Sequence, residues 1–245
     1  MIVLKQGPDI DSGRSVFCIQ NVMKPFDPEP DLSERIHDAV LEAICSGELR
    51  PGARITQEEL ATKFGVSRQP VLQAMMLLRR EGFLIDAGRK GVCVAPLDVE
   101  QANNLYIVRA ALDAAAARLA AARYSRELTH RGRLLLDVGR RAVAAGHVPS
   151  VIEADIDFHL FIYEASGNPV IAETMQPHWQ HLRRVMAAVL SEDDLRVSVW
   201  DEHEAILRTL EAGDTSRAEA LCRKHAEQTA GMLTGRLKAV ISHAA

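Results

Sequence analysis

The sequence has few aromatic residues, no closely spaced cysteines and no long uninterrupted apolar run. Phe, Trp and Tyr make up only 4% of its 245 residues, and its many Ala and Leu residues favour helices. The most apolar stretch, around 110–122, contains Asp113 and Arg118, so it falls short of the roughly 18 apolar residues that a membrane span needs. A hydrophobic content of 47% and a net charge of only −4 exclude intrinsic disorder.

The cysteines exclude two further classes of site. Cys18, Cys45, Cys93 and Cys222 include no pair at CxxC spacing, so neither a disulfide framework nor a thiolate metal site is indicated. The first residues also lack the basic stretch and apolar core of a secretory leader. We therefore expect reduced thiols and a cytoplasmic location, with no membrane partner.

Proline and glycine punctuation divides the chain into three parts. Residues 1–31 contain repeated Pro and Gly breaks and are expected to form a tail. Residues 32–97 show the periodicity of three helices followed by two short strands, which is the outline of a winged helix-turn-helix. The pattern is helical from 98 to 245, and its turn signals predict six helices, at 98–123, 126–145, 150–166, 169–190, 195–212 and 214–242. Their short connections favour an antiparallel bundle in a mostly α protein.

Local signals place the elements of 32–97. Thr56-Gln-Glu-Glu59 is a capping box that should begin the second helix. Ser67 is expected to cap the third helix, which should end near Gly82. The strands are predicted at Phe83–Ile85 and Val92–Val94.

Three signals in the helical region bear on helix ends. Asp98 is expected to cap the first helix of the bundle. Ser150-x-x-Glu153 resembles a capping box and should begin the third. Pro177 should kink or split the fourth, because proline removes a backbone donor and clashes with the preceding turn.

Polar residues at the start of the third helix suit contact with DNA. Ser67, Arg68 and Gln69 should point outwards, where Arg can bind guanine or phosphate and Gln can bind adenine or phosphate. At the hairpin tip, Arg89 and Lys90 could reach the DNA backbone or minor groove, and Gly91 would allow a close approach. Nine basic residues nearly balance eight acidic ones across 32–97, so charge alone leaves a protein-interaction module open.

Three motifs make this region resemble the DNA-binding domain of the GntR family of bacterial transcription regulators. They are Ser46-Gly-Glu-Leu-Arg-Pro-Gly52, Glu59-Leu-Ala61 and Phe64-Gly-Val-Ser-Arg68. The resemblance implies DNA binding. Two arginines that commonly contact DNA in the family are replaced here by Glu58 and Leu72, whereas Arg68 is retained. The operator sequence or the affinity is therefore expected to differ from the family norm.

A carboxylate and three imidazoles have spacings that can bring them together in the bundle. Asp155 and His159 are four residues apart, hence on one helix face. His203 precedes Gly213 by ten residues and His225 follows it by twelve. If the two helices fold back there, both histidines lie about 15–18 Å from the turn and level with one another. Such a set suits zinc, nickel or manganese, while spacing alone also allows ordinary packed or surface histidines.

Residues 100–240 are similar to the FCD effector domain of FadR-type GntR regulators. The pattern consists of Asp155-x-x-x-His159, Ser166-Gly-Asn168, Glu202-His203, Gly213-Asp214 and His225, and six helices resemble the VanR-like subgroup. The resemblance implies a divalent metal, zinc first, at the base of a pocket where a small carboxylate effector often completes the coordination. It also places Arg109 near that ligand, although a salt bridge to Asp113 is an equal alternative. His178 and His181 are expected to be ordinary helix or pocket-lining residues.

The sequence thus predicts a dimeric, ligand-responsive bacterial transcription regulator rather than an enzyme. It would bind a pseudo-palindromic operator, because one recognition helix contacts too few bases for operator-level specificity. A small organic acid at the metal site would alter operator binding. Two alternatives stay open: a metal-dependent enzyme, which we disfavour because no general base stands beside the ligands, and a regulator whose metal is purely structural.

Overall fold

The computed structural model describes residues 32–88, 91–190 and 197–244. The predicted tail, 1–31, lies outside these residues. The described chain is mostly α-helical with one small antiparallel sheet, as the sequence predicts. No helix among the described residues is both long and apolar enough to cross a membrane.

The first region contains three helices and three short strands. The helices are α1 (Leu32–Cys45), α2 (Gln57–Phe64) and α3 (Arg68–Arg80), and the strands are β1 (Arg54–Ile55), β2 (Leu84–Asp86) and β3 (Val92–Val94). The strand order is β1-β3-β2, with Arg54 opposite Cys93 and Leu84 opposite Val94. Strand β1 was not predicted, because two residues are too few to show an alternating pattern.

The predicted capping box at the start of α2 is present. The Thr56 hydroxyl accepts the Glu59 N–H at 3.2 Å, and the Glu59 carboxylate accepts the Thr56 N–H at 3.0 Å. Ser67 occupies the N-cap position of α3, but its side chain makes no capping hydrogen bond, so that part of the prediction is wrong. A different side-chain bond joins the two helices at this turn: the Gln57 side chain of α2 donates to the Arg68 carbonyl of α3 at 2.6 Å.

Six helices follow in the part of the chain that the structure describes. They are α4 (Val99–Ala122), α5 (Arg126–Ala144), α6 (Val148–Ser166), α7 (Pro169–Val189), α8 (Val197–Glu211) and α9 (Thr215–Ala244). As predicted, the Asp98 side chain caps α4 by accepting the Glu100 and Gln101 N–H groups at 2.8 and 3.2 Å. Gly213, in the left-handed conformation, separates α8 from α9.

Two predicted helix boundaries require correction. Helix α6 begins at Val148 rather than Ser150, because the His147 side chain caps it and Pro149 fits the first turn, where its missing N–H costs little. Helix α7 continues through Pro177, so the predicted split is wrong, while a kink at this proline stays a prediction. Met175 and Trp179, on either side of that proline, are buried in the core, and this packing outweighs the roughly 3 kcal/mol that an internal proline costs.

Small residues allow the two longest helices to pack closely. Ala114, Ala117 and Ala121 of α4 are buried, as are Ala218 and Cys222 of α9, and α4 lies along α9. Small side chains on both faces shorten the distance between the helix axes. Most of the larger core residues come from α6, α7 and α8.

Candidate functional site

Three helices bring the four predicted metal-ligating residues together. Helix α6 supplies Asp155 and His159 from one face, α8 supplies His203 and α9 supplies His225. One potential ligand atom from each residue lies within 4.8 Å of the other three. The fold-back at Gly213 sets the two later histidines level, so that their Nε2 atoms are 3.2 Å apart.

The spacing of these atoms fits a bound divalent ion. Oδ1 of Asp155 lies 3.4 Å from Nε2 of His203 and 4.0 Å from Nε2 of His159. Ligand atoms about 2.0–2.2 Å from one ion are about 3–4 Å from each other. Because His159 and His203 are fully buried and Asp155 is only 15% exposed, the cluster has little competition from water.

Burial also sets the protonation state of the imidazoles. Burial lowers the pKa of His203 well below its ordinary value, and the nearby His225, His159 and Arg109 lower it further. Burial, together with Arg109, likewise lowers the pKa of His159. Both rings are therefore neutral near pH 7, which is the form that coordinates a metal.

Two carboxylates lie behind the ligating histidines. Oε2 of Glu202 is 2.7 Å from Nδ1 of His225, and Oδ2 of Asp113 is 3.2 Å from Nδ1 of His159. A carboxylate at the far ring nitrogen fixes the ring orientation and makes Nε2 a better ligand. Neither carboxylate could be assigned this role from sequence spacing, because each lies on a different helix from the histidine that it contacts.

Arg109 joins the cluster through two acidic residues. Its Nε donates to Oδ2 of Asp113 at 3.3 Å, and its Nη2 lies 3.7 Å from Oδ2 of Asp155. The expected salt bridge to Asp113 is present, and the same guanidinium also faces a predicted ligand. Asp113 additionally accepts a hydrogen bond from Tyr163. Although burial opposes its ionisation, its contacts with His159 and Arg109 lower the pKa of Asp113 to about 2.

Several buried donors around the cluster have no hydrogen-bond partner among the described residues. They are Nη2 of Arg109 and the indole nitrogens of Trp179 and Trp200. The Arg109 guanidinium lies 4.8 Å from the centre of the Trp179 ring, and the rings of Trp200 and His203 are 4.8 Å apart. Buried donors normally find partners, so this surrounding fits a ligand that only accepts hydrogen bonds.

The predicted DNA-contacting residues are only partly described. Ser67, Arg68 and Gln69 are exposed at the start of α3, whereas Arg89 and Lys90 lie outside the described residues. Gly91 has a φ of +98°, a conformation that favours glycine, and an added Cβ would lie 3.4 Å from the Ile55 carbonyl oxygen.

An acidic residue stands beside the retained arginine. Nη2 of Arg68 lies 3.1 Å from Oε1 of Glu58, and both side chains are mostly exposed. Leu72, the other departure from the family pattern, is 42% exposed one turn further along α3. Sequence spacing could not reveal this ion pair, because it links two helices across the turn.

Helix α7 connects the cluster to the first region, a contact that the sequence analysis missed. The His181 ring stacks on Phe83 with 4.1 Å between ring centres and donates from Nε2 to the Glu81 carbonyl at 3.0 Å. Arg183 forms an ion pair with Glu42 of α1, with Nη2 and Oε1 2.8 Å apart. His181 is thus a helix residue, as expected, and it also joins α7 to the first region, a role that its position in the sequence did not indicate.

Comparison with known families identifies both regions. Residues 32–94 match the model of bacterial regulatory proteins, gntR family, and residues 104–228 match the FCD domain. The second match alone spans half of the chain.

Individual relatives agree with the family matches. The chain is 22% identical to the HTH-type transcriptional regulator YdfH of Escherichia coli O6:H1 and 21% identical to the HTH-type transcriptional repressor RspR of E. coli K12; both alignments cover 83% of this chain and 89% of the relative. The solved structure of E. coli McbR/YncC superposes with a TM-score of 0.71 at 22% identity, covering 84% of this chain and 98% of that one. This likeness shows a shared fold.

Proposed function

The chain belongs to the gntR family of bacterial DNA-binding transcription regulators and carries an FCD domain, and from this premise we propose that it is a metal-dependent sensor of a small carboxylate. The first region binds operator DNA. The helical region holds a divalent metal, to which the effector binds. Effector binding then changes operator affinity, so the two sites are thermodynamically coupled.

The metal proposal rests on the donor set. One carboxylate and three imidazoles from Asp155, His159, His203 and His225 suit zinc, with nickel and manganese as alternatives. The orphaned Nε2 of buried His159 supports the same conclusion, because a coordinated ion would satisfy it. When bound, the ion would act as a Lewis acid that anchors a carboxylate.

The single observation that carries the effector proposal is the group of buried donors beside these ligands that make no hydrogen bond among the described residues. The guanidinium of Arg109 is fully buried and has one nitrogen without a hydrogen bond. An anionic effector would supply both a further metal ligand and the missing acceptor. We infer that Arg109 contacts the effector while Asp113 holds the guanidinium in place.

Coupling to DNA is supported by helix α7. Trp179 contacts the Arg109 guanidinium, and two to four residues later His181 and Arg183 contact the first region. A change around Arg109 therefore has a short, packed route to the DNA-binding elements. We propose that Ser67, Arg68, Gln69, Arg89, Lys90 and Gly91 contact DNA.

The regulator is proposed to act in the cytoplasm as a homodimer. Each protomer would contribute one recognition helix to a half-site, which predicts a pseudo-palindromic operator. The exposed apolar residues Ile107 and Val108 on α4 offer surface for association.

Elemental analysis of the purified protein beside Asp155→Ala and His203→Ala tests the metal site. We expect about one metal ion per chain in the wild type and loss from both variants. His130→Ala is the matched control, because His130 is exposed and outside the cluster, and it should keep the metal. Absence of metal in the wild type after incubation with zinc, nickel and manganese would contradict the proposal.

Thermal unfolding with and without a chelator then distinguishes a metal that takes part in effector binding from one that only stabilises the fold. For a sensor, carboxylic acids raise the melting temperature of the metal-loaded protein and leave the His203→Ala variant unchanged. For a purely structural metal, chelation melts the protein and no acid has an effect. An acid that binds only the folded state stabilises it more as its concentration rises, so the increase in melting temperature should depend on acid concentration. At 100 times the dissociation constant, the free energy of unfolding rises by about 2.7 kcal/mol.

A further inference from the structure

We propose that the effector is a short monocarboxylic acid with an apolar body, bound in a cavity that opens on Asp155. This inference rests on the proposed sensing function and specifies the ligand class. The cavity lies between α6, α7, α8 and α9, and its wall includes Ile152, Met186, Trp200 and Met232.

The wall of this cavity is almost entirely apolar. Ten residues of the described chain line it, of which eight are hydrophobic and two, Asp155 and Thr229, are polar. None of the described residues that line it carries a positive charge. A second carboxylate would therefore be buried without a partner, and several hydroxyl groups would exceed the hydrogen-bonding capacity of one threonine.

The polar end of the cavity accommodates a single acid group. Asp155 belongs to the proposed metal site, so an anion at this end reaches the ion. Trp200, which is 1% exposed and lines the cavity, has an indole N–H without a partner among the described residues. One carboxylate can coordinate the ion and also accept from this donor or from Arg109, which leaves the rest of the molecule against the apolar wall.

The cavity volume limits the length of that apolar body. It is about 60 Å³, and a single water requires roughly 10–15 Å³. The space thus corresponds to about four to six waters, which is the scale of a chain of about four to six carbons. Pentanoate, with four carbons beyond its carboxylate, matches this size.

A second opening on the other side of the cluster is less suitable for an anion. It is lined by His225, Glu202 and Lys224. The Glu202 carboxylate already contacts Nδ1 of His225 there at 2.7 Å, so this ring nitrogen is already paired and an incoming carboxylate would compete with Glu202 for Lys224. We therefore assign the effector to the cavity beside Asp155.

Calorimetric titration of the metal-loaded full chain with three five-carbon acids tests the proposal. Pentanoate has one carboxylate, glutarate adds a second and xylonate adds hydroxyl groups, while chain length is constant. We expect pentanoate to bind at least tenfold more tightly than either of the others. Acetate should bind more weakly than pentanoate by about fourfold for each methylene that it lacks. Metal content measured after each titration controls for extraction of the ion by the acid.

The outcomes distinguish this inference from the proposed function. Preference for glutarate or xylonate overturns the apolar assignment but leaves a carboxylate sensor. Failure of all four acids to bind protein that holds about one metal ion overturns both.

Matched methionine variants locate the binding site. Met232→Gln keeps the side-chain length but places an amide in the cavity wall, and we expect pentanoate affinity to fall at least fourfold. Met76→Gln makes the same change at a position that is 59% exposed in α3 and should leave affinity unchanged. Loss of binding in Lys224→Gln without any effect of Met232→Gln would overturn the assignment to this cavity.

Discussion

The metal-ligand cluster and the start of the recognition helix α3 are constrained in opposite ways. His159 and His203 are fully buried, and helices hold them from several sides. Arg68 and Glu58 are both mostly exposed and form one ion pair across a turn. A buried polar cluster has one arrangement that satisfies its groups, whereas an exposed pair can separate into water at little cost. Sequence changes are therefore restricted in the cluster and permitted at the DNA-facing surface, where the family arginines are replaced.

Asp113→Asn should show the largest effect, because it disrupts the buried pair. The substitution keeps the shape of the side chain but removes the charge that balances Arg109. We expect a loss of about 3 kcal/mol in the free energy of unfolding and a 10–100-fold weaker metal affinity, since Asp113 also contacts His159. Urea unfolding and metal titration measure the two effects.

Glu58→Gln is the matched control in the exposed pair. Its cost should be below about 1 kcal/mol, and metal affinity should not change. If Asp113→Asn and Glu58→Gln lowered the free energy of unfolding equally, the buried cluster would be no more sensitive to substitution than the exposed ion pair.

Gly139→Ala tests whether packing around the cluster is as restrictive as its electrostatics. An added Cβ would lie 1.9 Å from the Trp200 ring, and that ring contacts His203. Overpacking of this kind typically costs about 1–3 kcal/mol, and displacement of Trp200 should also weaken metal binding.

Gly231→Ala provides the comparison in an open position. Gly231 lies in α9 with no atom within 4 Å of an added Cβ, so alanine should stabilise the chain by up to about 1 kcal/mol through helix propensity. Thermal unfolding of both variants measures the difference. A stable Gly139→Ala variant with normal metal content would show that α5 and α8 can separate freely.

The affinity of the Glu58→Gln variant for operator DNA tests the DNA-facing surface directly. The substitution removes a negative charge near phosphate and releases Arg68 from its ion pair. We expect several-fold tighter binding to a duplex selected in vitro. If Arg68 gains a phosphate contact, the plot of log binding constant against log salt concentration should also become steeper by about one unit. Fluorescence anisotropy at several salt concentrations measures both quantities.

The Arg68→Ala variant and the double variant Glu58→Gln/Arg68→Ala complete a double-mutant cycle for DNA binding. The single variant should lose about 1–3 kcal/mol of binding free energy if Arg68 contacts a base. In the double variant, Glu58→Gln should have a smaller benefit than in the wild type. A full benefit there would mean that Glu58 acts on DNA directly and not through Arg68.

The same contrast explains which features the sequence could predict. Helices have a constant rise, so the distances of His203 and His225 from Gly213 were enough to predict that they lie level. The contacts of His181 with Phe83 and of Glu58 with Arg68 depend on how separate elements pack, which spacing does not encode. The two-residue strand β1 was missed for lack of a period, and the start of α6 because His147 is an uncommon cap.

His37→Gln should have the smallest effect and tests whether the first region has a partly buried charged group of its own. Burial of the His37 ring opposes protonation, but hydrogen bonds with Glu81 and Asp38 outweigh it and raise its pKa. Its two ring nitrogens lie 2.7 Å from Glu81 and 2.9 Å from Asp38. Because the folded-state pKa exceeds the ordinary value of 6.5, the stabilisation is complete below that value and is lost as pH rises through the folded-state pKa. The unfolding free energy of the wild type should thus exceed that of His37→Gln by up to about 1 kcal/mol at about pH 5.5 and by less at about pH 8.5. A difference that does not change with pH would mean that His37 contributes as a neutral, packed ring.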